Sequence, residues 1–471
     1  MRALRLSQVA AMAGGRLHGE DVLVDALATD TRALPAAGNA LFIALKGERF
    51  DGHDHVAAAA QAGVVAALVS RQLDVAAGDG LLPQVVVADT ERALAAFAAA
   101  MQRERTAKVI AITGSNGKTS VKTLLLAILQ RVGSTYANPG NRNNEIGLPL
   151  AVLDAPDDAQ FAIYEMGAGK PGDIAYLTAI ARPDVALVNN IAPAHLERMG
   201  SLLGVAETKG AIYDAMTTNG VAAINADDAF APFFAEKSHG RRLIRFGLDA
   251  TADVTARDVE AGADASRFIL VTPQGEVEVA LAMPGRHNVL NALAAASLAL
   301  GAGAGLEAIR AGLEASHAVA GRMVSHRLGN GAMLIDDSYN ANPGSLHAAI
   351  ETLAVASATA GDQAWLVLGD MRELGADAEA LHFEAGRRAK NAGVARLYTL
   401  GPLSAHATAA FGDGARHFES HAALVDALRA DLAQSGAKPG VRVLVKGSRG
   451  SAMDRIVAAL LPPGEGTPHA A

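Results

Sequence analysis

The stretch Ala111-Ile-Thr-Gly-Ser-Asn-Gly-Lys-Thr-Ser120 demands a strand, a tight glycine turn and a helix in immediate succession. The apolar run from Lys108 to Ile112 reads as a buried strand. Ser120 to Val132 reads as an amphipathic helix with Leu124, Leu125, Ile128 and Leu129 inward. Between them, Gly114 and Gly117 let the backbone amides around Ser115 and Asn116 face a polyphosphate, and the helix N-terminus adds partial positive charge. Lys118 can reach a terminal phosphate and Thr119 can hold Mg²⁺. The full phosphate-loop pattern wants a glycine where Ile112 stands, so this is a shortened variant. A strand-to-helix turn without a ligand is the bland alternative. The Lys-Thr pair favours a nucleoside triphosphate site.

That unit needs neighbours. At 471 residues the chain has room for about three domains. Half of its residues are hydrophobic but only 4% are aromatic, so the cores are built from Ala, Val and Leu, which suits helices packed on parallel sheets. Strand-like runs at 40–45, 64–69 and 85–88, then a helix from Thr90 to about Glu104, give a first unit over 1–104. The charged piece Gln102 to Lys108 reads as a linker. A second unit, 105–317, alternates strands at 161–165, 185–189 and 221–224 with helices and closes with a helix from about Asn288; residues 250–282 suggest an accessory hairpin. A third, 318–471, repeats the pattern with strands at 332–336, 364–368, 396–400 and 442–446. The expected fold class is α/β, with parallel sheets covered on both faces.

Charge and composition exclude several classes. A formal net charge of −8 argues against a nucleic-acid partner bound through phosphates. The absence of cysteine removes disulfides and thiolate metal sites and fits a reducing cytoplasm. Residues 1–20 lack the apolar core of a signal peptide, and Val289 to Leu306, the most apolar long stretch, reads as a buried helix rather than a membrane span. The expectation is a cytoplasmic, monomeric protein with no membrane insertion.

Other polar residues fall at strand ends, where open α/β sheets bind ligands. Glu165 reads either as a Mg²⁺ ligand near Thr119 or as a solvated strand-end acid. His195, after the next strand, is either structural or a metal ligand. Lys209 in Ala206-Glu-Thr-Lys-Gly210 is, on spacing alone, a solvated helix lysine. The segment from Asn138 to Pro149, with Asn141, Asn143 and Asn144, is either a capped turn or a loop lining a polar substrate. Asn288 and Asn291 share a helix face suited to an adenine edge. The segment Asp336–Gly344 follows a strand and carries acids suited to ribose hydroxyls, with Asp336 and Asn340 as its candidate nucleotide-binding residues, and Arg322 is a candidate phosphate clamp. Lys446 and Ser448 are candidates for the second substrate, with turn formation as the alternative.

Together these segments resemble the Mur ligases, the ATP-dependent enzymes that build the peptidoglycan stem peptide. The matching residues are Thr113–Thr119, Tyr164–Gly167, His195, Glu207–Gly210, His287–Asn291 and Gly321–Arg322, in family order. Asn141–Gly147, Asp336–Pro343 and Leu368–Gly375 are similar to the member that adds D-alanyl-D-alanine to UDP-N-acetylmuramoyl-tripeptide. The D-N-P-R motif typical of the tripeptide-forming member is absent. A folylpolyglutamate synthase, similar at the ATP site, should lack the first unit.

The resemblance implies a UDP-binding N-terminal domain, a central ATPase domain and a Rossmann-like C-terminal domain. It implies ATP and two Mg²⁺ ions as cofactors, with Thr119, Glu165, His195 and Lys209 around the metal and Lys209 carbamylated by CO₂. Lys118, Lys209, His195 and Arg322 would be catalytic. Thr31, Arg32, Lys46, Gly47, Asp51 and His53 match the segments that hold the UDP-sugar. Rival readings are a sister ligase adding one amino acid, a phosphate-loop switch and a non-catalytic nucleotide scaffold.

Overall fold

The computed structural model describes residues 1–36, 38–47, 50–78, 80–193, 196–435 and 440–462. Three α/β units follow one another. In the first, strands run in the order Arg16–His18, Gln84–Val86, Ala66–Val69, Ala40–Ile43 and Ala26–Ala28, all parallel except the first pair. Helix Thr90–Glu104 begins where the Asp89 side chain accepts the Arg92 amide, and it buries Leu94, Phe97, Ala98 and Met101.

The expected linker at 102–108 is clamped instead. Gln102 is buried and accepts the Tyr164 hydroxyl at 3.3 Å. The Arg105 guanidinium donates to Asp157 at 3.0 Å and to the Ala155 carbonyl at 2.6 Å. A charged stretch is not a loose one when its charges find partners. One hydrophobic core accordingly runs from Leu6 and Leu94 of the first unit into Tyr164 and Leu177 of the second.

The middle sheet has six parallel strands in the order Thr135–Ala137, Phe161–Glu165, Lys108–Thr113, Val185–Val188, Val221–Asn225 and Arg242–Phe246. The chain leaves the central strand Lys108–Thr113 to one side, then returns to the other. The glycine turn after Thr113 therefore opens at the point where strand order reverses, the usual ligand position in such sheets. Helix Lys118–Leu129 packs Val121, Leu124, Leu125 and Ile128 against the sheet. Residues 255–281 form a three-stranded antiparallel meander, one strand more than the expected hairpin.

The third sheet runs Val324–Arg327, Met333–Asp337, Val441–Lys446, Gln363–Gly369, Arg396–Leu400 and Ala415–Phe418, parallel except for the first pair. Its two edge strands escape a search for apolar runs because Ser325, His326, Arg416 and His417 interrupt them. Its cores on either sheet face are separate from those of the other units. Among the described residues, no helix is long and apolar enough to cross a membrane.

Candidate active site

The phosphate loop is shaped by two glycines with left-handed or extended positive φ: Gly114 at 148° and Gly117 at 79°. A Cβ on Gly117 would fall 2.4 Å from Asn291 Oδ1 and 2.5 Å from Asn189 Nδ2, so no larger residue fits. Beneath the loop, Asn190 Oδ1 accepts the Asn116 amide at 2.8 Å and Asn189 Nδ2 donates to the Asn116 carbonyl at 3.0 Å. Lys118 folds back and donates to the Gly114 carbonyl at 2.7 Å. Burial lowers its pKa; Glu165 opposes that shift and the Arg322 cation adds to it.

Glu165 ends the neighbouring strand and is 3% exposed. Its Oε2 accepts the Thr119 hydroxyl at 2.9 Å and lies 3.2 Å from Lys122 Nζ; its Oε1 accepts Asn143 Nδ2 at 3.1 Å. Burial pushes the carboxyl upward, but Lys122, Lys118 and Arg322 outweigh it, and the group sits below the ordinary glutamate range. A buried carboxylate touching a hydroxyl is a hard oxygen pair of the kind Mg²⁺ takes alongside phosphate oxygens. The described residues contain no cluster of three or more acids and histidines able to cage a metal alone. The donor set thus fits an ion shared with phosphates.

Lys209 sits in the last turn of helix Leu202–Gly210 and is 1% exposed. Burial and the Lys118 cation carry its pKa well below the ordinary lysine value, against a smaller opposing pull from Asp173. Its expected surface position on spacing alone is overturned: it is a buried amine. His195 lies outside the described residues.

The third unit closes the site from the other side. Arg322 donates to Thr119 Oγ1 at 2.9 Å and stacks 4.4 Å from the Tyr339 ring centroid. Asn342 donates to Asn116 Oδ1 at 2.7 Å. The resulting cleft, about 680 Å³, is walled by the phosphate loop, Glu165, Asn143, Arg322, Asp337 and Lys446, among others. That volume is in the range of small-molecule sites.

Several predicted residues take other positions. Asn288 and Asn291 line the cleft, but Asn291 accepts Asn189 at 3.1 Å and donates to Asn288, which donates to the Pro284 carbonyl; both amides support the loop from below. On the strand that carries both acids, Asp337 and not Asp336 lines the cleft; Asp336 accepts the amide and hydroxyl of Ser338. Asn340 lines the cleft, its carbonyl accepting Lys446 Nζ at 3.0 Å. Lys446 is 2% exposed and ion-paired to Asp337 at 2.5 Å. Ser448 does not line the cleft; its hydroxyl braces the Arg372 amide and the Ala341 carbonyl. Asn144 lines the cleft and caps the helix after it by accepting the Gly147 amide, whereas Asn141 is exposed outside the cleft.

The first-unit candidates form a separate group, since no described residue of 1–104 lines the cleft. Thr31 is half-buried, and Arg32, exposed, pairs with Asp30 at 2.7 Å. Lys46 bridges to Asp51, with Gly47 between them and the next turn. His53 is 5% exposed, its Nδ1 meets Asp51 at 2.5 Å and its Nε2 accepts the Ser70 amide at 2.8 Å. Both ring nitrogens are used within the protein, and Asp51 is held at a pKa of about 2 by hydrogen bonds from the His53 backbone and ring.

Sequence reasoning did not single out Lys122, Asn190 or Asn342, and it placed both Asp336 and Asp337 at the site without telling them apart. Lys122 had a usable signal. It stands four residues after Lys118 and so on the same helix face. Asn342 stands in the segment 336–343 matched above and caps the helix that follows, whereas Asn190 gave no local signal because it acts through a partner distant in sequence.

The family model for the Mur ligase middle domain matches residues 112–299. Those for the Mur ligase glutamate ligase domain and the Mur ligase family catalytic domain match 321–449 and 27–114. The chain is 43% identical over 461 residues to the UDP-N-acetylmuramoyl-tripeptide–D-alanyl-D-alanine ligase of Escherichia coli, covering 98% of this chain and 99% of that protein. The crystal structure of MurF from Acinetobacter baumannii superposes with a TM-score of 0.91 at 32% identity, covering 98% of this chain and 99% of that one. The MurF ligase of Thermotoga maritima in complex with ADP gives 0.81 at 26% identity, covering 93% and 97%. With matched models over all three units and a relative of this identity along its whole length, the chain belongs to the Mur ligase family.

Proposed function

We propose that this protein is an ADP-forming ligase that joins D-alanyl-D-alanine to UDP-N-acetylmuramoyl-tripeptide in peptidoglycan precursor synthesis. The observation that carries the reading is similarity along both whole chains to a ligase of that activity. A nucleotide switch sharing only the phosphate loop would align over the middle unit alone. In this reading residues 1–104 hold the UDP-sugar, 105–317 hold ATP and 318–471 present the amine, and the enzyme works as a monomer in the cytoplasm.

The chemistry assigned to the cleft is carboxylate activation. The tripeptide carboxylate attacks the γ-phosphorus of ATP, forming an acyl phosphate as ADP leaves. The dipeptide amine then attacks the acyl carbon, and phosphate departs as the amine loses its proton. Loop amides from Gly114 to Thr119 cradle the phosphates, and Lys118 turns from the Gly114 carbonyl to the terminal phosphate. Arg322, already over Thr119, follows charge onto the transferred group. Asn342 and Arg322 join the two cleft walls, and that closure keeps water from the acyl phosphate.

Two Mg²⁺ ions, when bound, offset the phosphate charge. Thr119 and Glu165 would hold one. Lys209 and His195 would hold the other, with Lys209 as a carbamate: its amine adds CO₂ and releases a proton. Burial lowers the pKa of this amine, and the neutral form it promotes is the one that adds CO₂.

The test is phosphate release with ATP and UDP-tripeptide fixed and the amine varied. Release that requires D-alanyl-D-alanine is expected. Equal release with and without it would overturn the ligase reading.

A further inference from the structure

We infer that Lys122 is a positioning residue: it pins the 138–144 loop to the Glu165 carboxylate, so that the tripeptide's wall and the metal's ligand keep one shape. The inference deepens the ligase reading and rests on it.

Lys122 stands one turn after Lys118 on helix Lys118–Leu129 and is 6% exposed. An ammonium carries three donors, and all three are used inside the protein. Nζ donates to the Asn138 carbonyl at 3.0 Å and to the Gly140 carbonyl at 3.1 Å, and it lies 3.2 Å from Glu165 Oε2. No donor is left for a ligand, so Lys122 acts only through the groups it holds. Burying a cation is costly, and a methionine would fill the same space without that cost. Packing alone does not call for the charge.

The groups it holds belong to the site. Glu165 Oε2 also accepts the Thr119 hydroxyl, and Oε1 accepts Asn143 of the loop at 3.1 Å. Asn138, 1% exposed, grips the backbone of the same glutamate twice: Oδ1 accepts its amide at 2.9 Å and Nδ2 donates to its carbonyl at 3.1 Å. Further along, the Asn143 carbonyl accepts the Gly167 amide at 2.8 Å. Lys122 Nζ joins the two parts, with two contacts to the loop backbone and one to the carboxylate.

The loop meets the cleft through Asn143 and Asn144, and Glu145 follows them on the same wall. Glu145 also faces the first unit, where its charge, after burial, raises the pKa of Glu91. A tripeptide held by its sugar on the first unit and reacting beside Thr119 must pass along this loop. A displaced loop therefore displaces Glu165, and a displaced Glu165 disturbs the loop; coupling of this kind runs both ways.

The test is calorimetry with ADP, first without metal and then across a Mg²⁺ series, with KM for each substrate measured beside it. Wild type is compared with Lys122→Met, which keeps the side-chain length and removes all three donors. Lys122→Met is expected to bind metal-free ADP as wild type does, because the phosphate-loop amides do not depend on Lys122. It should need about tenfold more Mg²⁺ to tighten ADP and show about a tenfold higher KM for UDP-tripeptide, the loss of a hydrogen bond to a charged group. KM for the dipeptide should stay as in wild type.

Lys122→Arg keeps a cation beside Glu165 but cannot bring one nitrogen to both carbonyls and the carboxylate. It should hold most of the Mg²⁺ response and lose affinity for the tripeptide, and it decides the matter if the methionine variant does not fold. A merely structural Lys122 would lower the melting temperature and leave both responses untouched. Wild-type values in either variant, or a change in only one response in Lys122→Met, would overturn the pin while the ligase reading stands. A wild type whose ADP affinity ignores Mg²⁺ would remove the metal role of Glu165 and this inference with it. Phosphate release that never requires the dipeptide would instead overturn the ligase reading, with the Mg²⁺ responses of ADP binding unaffected.

Discussion

Across the cleft, the middle unit presents a loop shaped by its backbone and the third unit presents side chains. On the middle side, two glycines, a helix N-terminus and Lys118 form one contiguous stretch of seven residues, Thr113 to Thr119, braced by Asn189, Asn190 and Asn291. On the third side, Arg322, Asp337, Tyr339, Asn342 and Lys446 arrive from three separate segments, the loop before Val324, the end of strand Met333–Asp337 with its following loop, and the end of strand Val441–Lys446. The cores differ in the same sense: the first and second units share one, while the third has its own. A wall built from backbone is fixed by local sequence, whereas a wall built from side chains exists only when distant loops come together. Loss of a group on the fixed wall should therefore stop chemistry outright, and loss on the assembled wall should act by degrees.

The largest effect is expected at Lys118. Lys118→Ala should lower kcat by about a thousandfold or more, since it removes a cation from the phosphoryl group in flight. The fold should survive, because Lys118 lines the cleft and supports no core. A variant that melts like wild type and keeps more than about a tenth of its kcat, under roughly 1.4 kcal/mol, would take Lys118 out of the transfer step.

Next comes Lys209, behind the same wall. Lys209→Ala should lose about a hundredfold or more in kcat, with weak, saturable rescue by formate or acetate and none in wild type. A carbamate signal from ¹³C-labelled bicarbonate should be present in wild type and absent from the variant. No such signal, together with full activity of Lys209→Ala, would reduce the residue to a packing role.

Legibility in the sequence follows this division. The phosphate loop, its strand and its helix could be read residue by residue, because backbone geometry and glycine requirements are local. Glu165 was visible as a strand-end acid, but its ionised state depends on Lys122, Lys118 and Arg322, which converge only in three dimensions. His53, set among residues matched to the UDP-sugar site, meets Asp51 and Ser70 through its two ring nitrogens, a pairing that only the folded chain brings about. On the strand ending in two acids, alternation decides which one faces the cleft, and the strand register needed to tell Asp336 from Asp337 comes from its neighbours. Burial of Lys209 was invisible because a helical lysine looks the same in sequence whether its face meets solvent or another helix.

A smaller effect should separate the first unit from both cleft walls. Arg32 is 88% exposed and held by Asp30, outside the ATP cleft. Arg32→Ala should raise KM for the UDP-tripeptide by about tenfold, the loss of one charge-assisted hydrogen bond, and leave KM for ATP unchanged. Equal changes in both would mean that the two sites are not distinct.

The smallest effect probes where the two walls touch. His287, on the middle wall, comes within 3.4 Å of the Thr352 hydroxyl of the third unit. Burial, reinforced by the Lys446 cation, pulls its pKa from 6.5 down to about 4. The unfolded chain therefore takes up this proton first as pH falls, so the folded state loses stability between about pH 6.5 and pH 4 and no more below that. Each pKa unit is worth about 1.4 kcal/mol, and water reaching the cleft wall reduces the total to about 1–2 kcal/mol. Urea unfolding of wild type and His287→Gln at pH 7 and pH 4.5 measures it. The variant should lose less stability than wild type on acidification by that amount, and Lys446→Met should fall between them because it removes only the third unit's share. Identical acid losses in all three proteins would mean that His287 titrates as a solvated residue and that the charge of the assembled wall does not reach the fixed one.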